Sequence, residues 1–160
     1  MDLINLIGKT TIHPMLFYTG KISGYTTWIL FLLYLFKVYK ISRHSVEFLT
    51  ILSYLLVFLG LIITIISLIN LGSSTRLGLP FENTTLKSNG LYKISRNPMY
   101  LGFDLFTLSS IIYIGNIFIA ILGIYSLVIY HFIIIGEEKY LEKRFGKKYI
   151  EYRKKVRRYI

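Results

Sequence analysis

Two short polar stretches carry the side chains able to do chemistry. In the first, Tyr92 precedes Arg96 by four residues, Asn97 follows at once, and Tyr100 comes one helical turn later. Arginine keeps its charge beside lipid. Alone it could be a snorkelling side chain on a phospholipid phosphate, but its polar neighbours make a cluster. In the second stretch, Glu137 and Glu138 end the apolar run Ile133-Ile134-Ile135-Gly136. Carboxylates at that place are costly unless wet or paired. Their own helix offers Leu141 and Glu142 four residues on, which satisfy neither acid. A partner from the preceding polar segment, or a cationic ligand, would satisfy them. Basic and acidic groups gathered at one bilayer face describe a polar pocket, which a plain membrane anchor would not need.

Two ionisable residues lie deeper. His131 falls inside an apolar run and has no Cys, Asp or Glu at ligand spacing, so a buried, hydrogen-bonded role is expected and no metal site. Asp104, inside another apolar run, is expected to pair with His131 or a lysine.

The elements that must position these groups are helices. Apolar runs at about 22–39, 46–71, 98–114 and 117–136 are each candidates to cross about 30 Å of hydrocarbon. The expected class is therefore an all-α polytopic membrane protein, one domain with about four transmembrane helices and a fifth allowed. Pro14 argues against an uninterrupted span starting near the N-terminus, so residues 1–21 read as an interfacial helix or loop. Pro98 suits a first helical turn, and Gly115-Asn116 reads as a tight turn. The segment 72–97 is long for so small a protein, which points to a functional loop. Residues 137–160 are charged, with Tyr149, Tyr152, Val156 and Tyr159 at helical spacing and a break expected at Phe145-Gly146. The two polar segments, 72–97 and 137–160, share one side with both termini.

Composition agrees. The chain has 160 residues, 54% of them hydrophobic, and a formal net charge of +11. The basic residues flank apolar runs, so they suit lipid headgroups rather than nucleic acid. Sixteen Lys and Arg fall on the side of the termini and three, Lys37, Lys40 and Arg43, on the other. That bias places both ends in the cytoplasm. There is no cysteine, so disulfides, thiolate nucleophiles and Cys-bound zinc are excluded. No leader with a small-residue cleavage site is read, and the N-terminus is expected to be retained.

Residues 86–102, Leu-Lys-Ser-Asn-Gly-Leu-Tyr-Lys-Ile-Ser-Arg-Asn-Pro-Met-Tyr-Leu-Gly, resemble the integral-membrane methyltransferases of the isoprenylcysteine carboxyl methyltransferase and phospholipid methyltransferase superfamily. The second half of that signature stands here as Glu137, Glu138, Leu141, Phe145, Gly146, Tyr149 and Tyr152, with Val156 and Arg158 beyond. The resemblance implies S-adenosylmethionine bound at the cytoplasmic face and a lipophilic methyl acceptor taken from the bilayer. Carried over, it places Thr85, Leu86, Lys87, Tyr92, Asn97, Pro98, Met99 and Tyr100 around the cofactor. Glu137 and Glu138 would meet its charged or hydroxyl groups, and Arg96 would orient an anion of acceptor or cofactor. Arg96 and Glu138 are thus the expected catalytic pair. Asn97 stands where the family often has histidine, and so cannot act as a base. The eukaryotic prenylcysteine enzymes also carry an arginine before the double acid, where this chain has His131-Phe-Ile-Ile-Ile. A carboxylate acceptor would need only alignment with the methyl carbon and sulfur. An amine must first lose a proton, for which Glu137, Glu138 and His131 are the candidates. Sterol reductases using NADPH share a similar first stretch but follow it with a different second one. A non-catalytic protein on the same scaffold is the other alternative.

Overall fold

The computed structural model describes residues 10–38, 46–72 and 85–160. Helix α1 is Pro14–Leu35 and α2 is Glu47–Leu71. A 3-10 turn, Gly90–Lys93, leads into α3, Pro98–Ile114. Helix α4, Ile117–Phe145, and α5, Lys147–Lys155, complete the order. Among the described residues there is no strand, only a single parallel bridge between Ser95 and Arg157. Residues 39–45 of the expected polar connection, which begins at Lys37, and Arg76, Gly78, Pro80, Glu82 and Asn83 of the expected functional loop, lie outside the described residues.

The helix ends follow local chemistry. Pro98 occupies the first turn of α3, where its missing N–H costs nothing. Gly115 takes the left-handed conformation (φ 62°) that ends α3. The Asn116 side chain then accepts hydrogen bonds from the Phe118 and Ile119 N–H groups and caps α4.

Two expectations are corrected. The first helix begins at Pro14, not near residue 22, and stops at Leu35. The proline sits at the N-terminal end, where it starts a helix rather than breaking one. The C-terminal stretch is not one helix to residue 159. It breaks at Gly146, as expected, and α5 ends at Lys155. Val156 is extended (φ −124°, ψ 132°), because the residues after it turn back to bond the segment before α3.

Helices α2 and α4 are long and apolar enough to cross a membrane. Only 11% of the apolar window of α2 is buried. Phe48, Ile51, Leu55, Phe58, Ile62, Ile65 and Ile69 face outward, so α2 is no core helix of a water-soluble protein. Helix α3, at 17 residues, reaches about 25 Å. Helix α1 has the length, but Thr19, Lys21, Ser23, Thr26 and Thr27 dilute its apolar character. The 29 residues of α4 span about 43 Å. Its apolar part, 117–136, is about 30 Å long, enough by itself for the hydrocarbon thickness, and Glu137 comes just after it.

Small residues let the helices approach closely, as inside a bilayer. Helix α3 packs against α2 through paired glycines. A Cβ on Gly102 would lie 2.8 Å from the Gly60 carbonyl oxygen, and one on Gly60 would lie 2.9 Å from the Gly102 carbonyl oxygen. Gly20 and Gly24 of α1 instead make room for the side chains of Ile129 and Ser126 of α4. The Trp28 indole N–H donates to Thr107 Oγ1 (2.9 Å) and ties α1 to α3. Phe17, Tyr100, Ile129, Tyr130, Ile133 and Ile134 form the main core, directly beneath the polar cluster. Gly102→Val is therefore expected to push α2 and α3 apart and destabilise the protein by about 1–3 kcal/mol, read as a lowered melting temperature in detergent.

Candidate functional site

The polar cluster is built from the start of α3, the end of α4 and the tail. The segment entering it is anchored first. Asn70, near the end of α2, accepts the Leu91 N–H at 2.9 Å. Gly90 (φ 57°) is required there, since a Cβ would collide with the Asn70 side chain. The Tyr152 hydroxyl donates to the Tyr92 carbonyl at 2.6 Å and ties the turn to α5.

The tail then lies along residues 95–97. The Arg96 N–H donates to the Arg157 carbonyl at 2.9 Å. Ser95 Oγ donates to the Arg158 carbonyl (3.2 Å) and accepts the Asn97 N–H (3.1 Å). The Arg96 side chain is spent on both partners. Nη1 donates to the carbonyls of Val156 (2.8 Å) and Arg153 (3.3 Å). Nε and Nη2 donate to Glu138 Oε1 at 3.1 and 2.8 Å.

Glu138 is the hub. Its carboxylate accepts from Arg96, from Asn97 Nδ2 (3.1 Å) and from Arg158, whose Nη2 reaches Oε2 at 2.9 Å. Burial pushes its carboxyl up, but the hydrogen bonds of Arg158 and Arg96 outweigh that and hold it below the ordinary carboxylate value. Two guanidiniums about one carboxylate leave the cluster with one positive charge in excess.

Glu137 faces a different set. Tyr100 donates its hydroxyl to Oε1 at 2.6 Å. Burial raises the Glu137 carboxyl to about 7, against the Tyr100 hydrogen bond and the charge of Lys21, which both lower it. Tyr92 is close enough for its phenol to be pushed up by burial, by Tyr152 and by the Glu137 charge.

The structure thus brings Tyr92, Arg96, Asn97, Tyr100, Glu137 and Glu138 into one neighbourhood. Pro98 is buried in the first turn of α3 and Met99 is half-buried beside it. Thr85 is exposed, and Leu86 and Lys87 are half-buried, on the chain leading to the 3-10 turn. Deeper in α4, His131 Nδ1 and the Tyr159 hydroxyl share a hydrogen bond of 2.6 Å, with the rings stacked. Asp104 was expected to pair with His131 or a lysine; the partner of His131 Nδ1 is the tail's Tyr159, and Asp104 Oδ1 has no hydrogen bond.

Two members of the neighbourhood were not among the expected site residues. Arg158 stands only at the far end of the family signature, with no role expected of it, because its bonds to Glu138 depend on the tail turning back. Lys21 carried a plainer signal, a lone cation in a largely apolar helix.

A family model described as phospholipid methyltransferase matches residues 48–148. Over 74 residues the chain is 40% identical to the protein-S-isoprenylcysteine O-methyltransferase of Schizosaccharomyces pombe. The match covers 44% of this chain and 30% of that enzyme, so the chain spans less than a third of its relative's length. A second match, 45% identical over 64 residues, is to an uncharacterized protein of Haemophilus influenzae; it covers 39% of this chain and all of the other. No solved structure matches the chain.

Proposed function

The chain belongs to the phospholipid methyltransferase family, and from that membership we propose that it transfers a methyl group from S-adenosylmethionine to a lipid-like or isoprenoid acceptor, a carboxylate or an amine, at the membrane face. The observation that carries the reading is the convergence of Arg96, Asn97 and Glu138 with Tyr100 and Glu137 at the ends of two apolar helices.

The donor set fits this cofactor chemically. The excess positive charge of the Arg96–Glu138–Arg158 cluster suits its carboxylate. Glu137 and the hydroxyl of Tyr92 suit its ammonium and hydroxyl groups. The bound cofactor would supply an electrophilic methyl group on a sulfonium. The chain's own contribution is to hold, align and dry the reactants. Arg96 and Asn97 fix the start of α3 against the end of α4, and the tail covers that junction. Excluding water there favours a reaction in which charge is neutralised. Tyr100, held by Glu137, sets the floor of the neighbourhood above the apolar core.

Four membrane spans, with both termini and the site on the cytoplasmic side, accord with the distribution of Lys and Arg. The same distribution argues for anionic lipid as the protein's surroundings.

The test uses the full chain in lipid nanodiscs. Calorimetry is expected to show binding of S-adenosylhomocysteine and none of NADPH. Incubation of membranes with labelled S-adenosylmethionine is expected to yield methylated lipids by mass spectrometry. Binding of NADPH instead, or of neither molecule at saturation, would overturn the assignment.

A further inference from the structure

We propose that the exposed cations Lys154, Lys155 and Arg157, with Ile160 beyond them, dock the tail on anionic phospholipid in the leaflet beside it, and that this docking holds the tail against the start of α3. The proposal needs α4 in a membrane and does not depend on the methyl-transfer reading.

The path of the chain sets these residues at the headgroups. With the apolar part of α4 in hydrocarbon, the break at Gly146 lies about 15 Å beyond the end of that part at Gly136. From there α5 returns. The Tyr152 hydroxyl reaches the Tyr92 carbonyl, and the carbonyls of Arg153 and Val156 meet Arg96, just ahead of Pro98 and the apolar α3. The Tyr159 ring goes deeper. It stacks on His131, which stands about 8 Å inside the apolar part of α4. Residues 154–157 therefore cross the layer between the polar cluster and the hydrocarbon.

Their charges have no counterpart within the chain. All three side chains are exposed, and none enters an ion pair among the described residues. Arg153 differs, because it pairs with Glu142. Glu151 is the single acid of α5, so the face stays positive. Arg157 serves the fold through its backbone, whose carbonyl accepts the Arg96 N–H, and its guanidinium remains outward.

The last residues complete an amphipathic pattern. Ile160 is 72% exposed beside a tyrosine that reaches apolar depth. Tyrosine favours the interface, and an apolar side chain below a row of cations inserts at the headgroup boundary. Nucleic acid or an acidic protein would meet the cations and leave Ile160 in water. Each cation beside anionic lipid raises the docked population about fivefold, less as salt screens it. Docking presses on the same carbonyls that hold Arg96, so the leaflet's charge is coupled to the start of α3.

The test places the full chain in nanodiscs of phosphatidylcholine alone, and in discs where one lipid in three is phosphatidylglycerol. Hydrogen exchange of residues 153–160 is read by mass spectrometry. Exchange is expected to be about tenfold slower or more in the anionic discs, and the difference is expected to vanish at high salt. Lys154→Gln with Lys155→Gln and Arg157→Gln is expected to exchange alike in both discs. Lys147→Gln with Lys148→Gln, at the far end of α5, is expected to keep the difference. Equal exchange of the natural chain in the two discs at low salt overturns the proposal. So does an undiminished difference in the triple variant, or its loss in the double variant, which would make net charge alone the cause. Equal slowing by polyglutamate added to neutral discs also overturns it, in favour of an acidic protein. If the triple variant fails to fold, the comparison of discs and salt on the natural chain decides.

Discussion

Arg96→Ala is expected to abolish methyl transfer and to loosen the C-terminal segment in the same stroke. The Arg96 side chain is 9% exposed and joins a Glu138 side chain that is 6% exposed. It also donates to the carbonyls of Val156 and Arg153. Alanine removes every one of these bonds and leaves Glu138 to Arg158 and Asn97. Breaking a buried pair from one side costs about 3–5 kcal/mol; here the remaining partners hold the loss near the lower figure. Lysine is not a conservative replacement, because a single ammonium cannot fork between the carboxylate and two carbonyls. The melting temperature in nanodiscs should fall, and lipid methylation should drop below detection. Unchanged turnover would remove Arg96 from the mechanism.

The second large effect is expected from Glu138→Gln. The amide keeps the shape of the side chain but leaves Arg96 and Arg158 facing each other without an anion. S-adenosylhomocysteine affinity should fall by about tenfold or more, read by calorimetry; equal affinity would rule out a part for Glu138 in binding. The pH response gives an independent check. The folded-state value of Glu138 lies below the ordinary 4.5. Its contribution to stability is therefore complete above pH 4.5 and fades as pH falls through the folded-state value. The natural chain should lose melting temperature on acidification below about pH 4.5, and Glu138→Gln should lack that part of the loss.

Much of the scaffold was legible because its signals are local. Helix α3 has the bounds expected from Pro98 and Gly115, and α2 differs by one residue from the apolar run that predicted it. Helix α1 was misplaced because Pro14 was read as an interruption, although a proline is equally a first-turn residue. The polar neighbourhood was legible because lipid makes charge conspicuous: Arg96, Glu137 and Glu138 stand out against apolar runs. What escaped was the part made by long-range return of the chain. No periodicity announces that Val156 leaves the helix, or that Arg158 crosses to Glu138 and Tyr159 to His131. Those partners are 20 and 28 residues apart, and only the folded arrangement joins them.

The clasp between Arg96 and the carbonyls of Val156 and Arg157 has a consequence for biogenesis. The segment ahead of α3 takes part of its bonding from Val156, made 60 residues later. While the ribosome is still translating α5, the guanidinium of Arg96 has Glu138 within reach but not yet these carbonyls. A nascent chain stalled before Val156 could hold its helices and still leave the start of α3 half fastened.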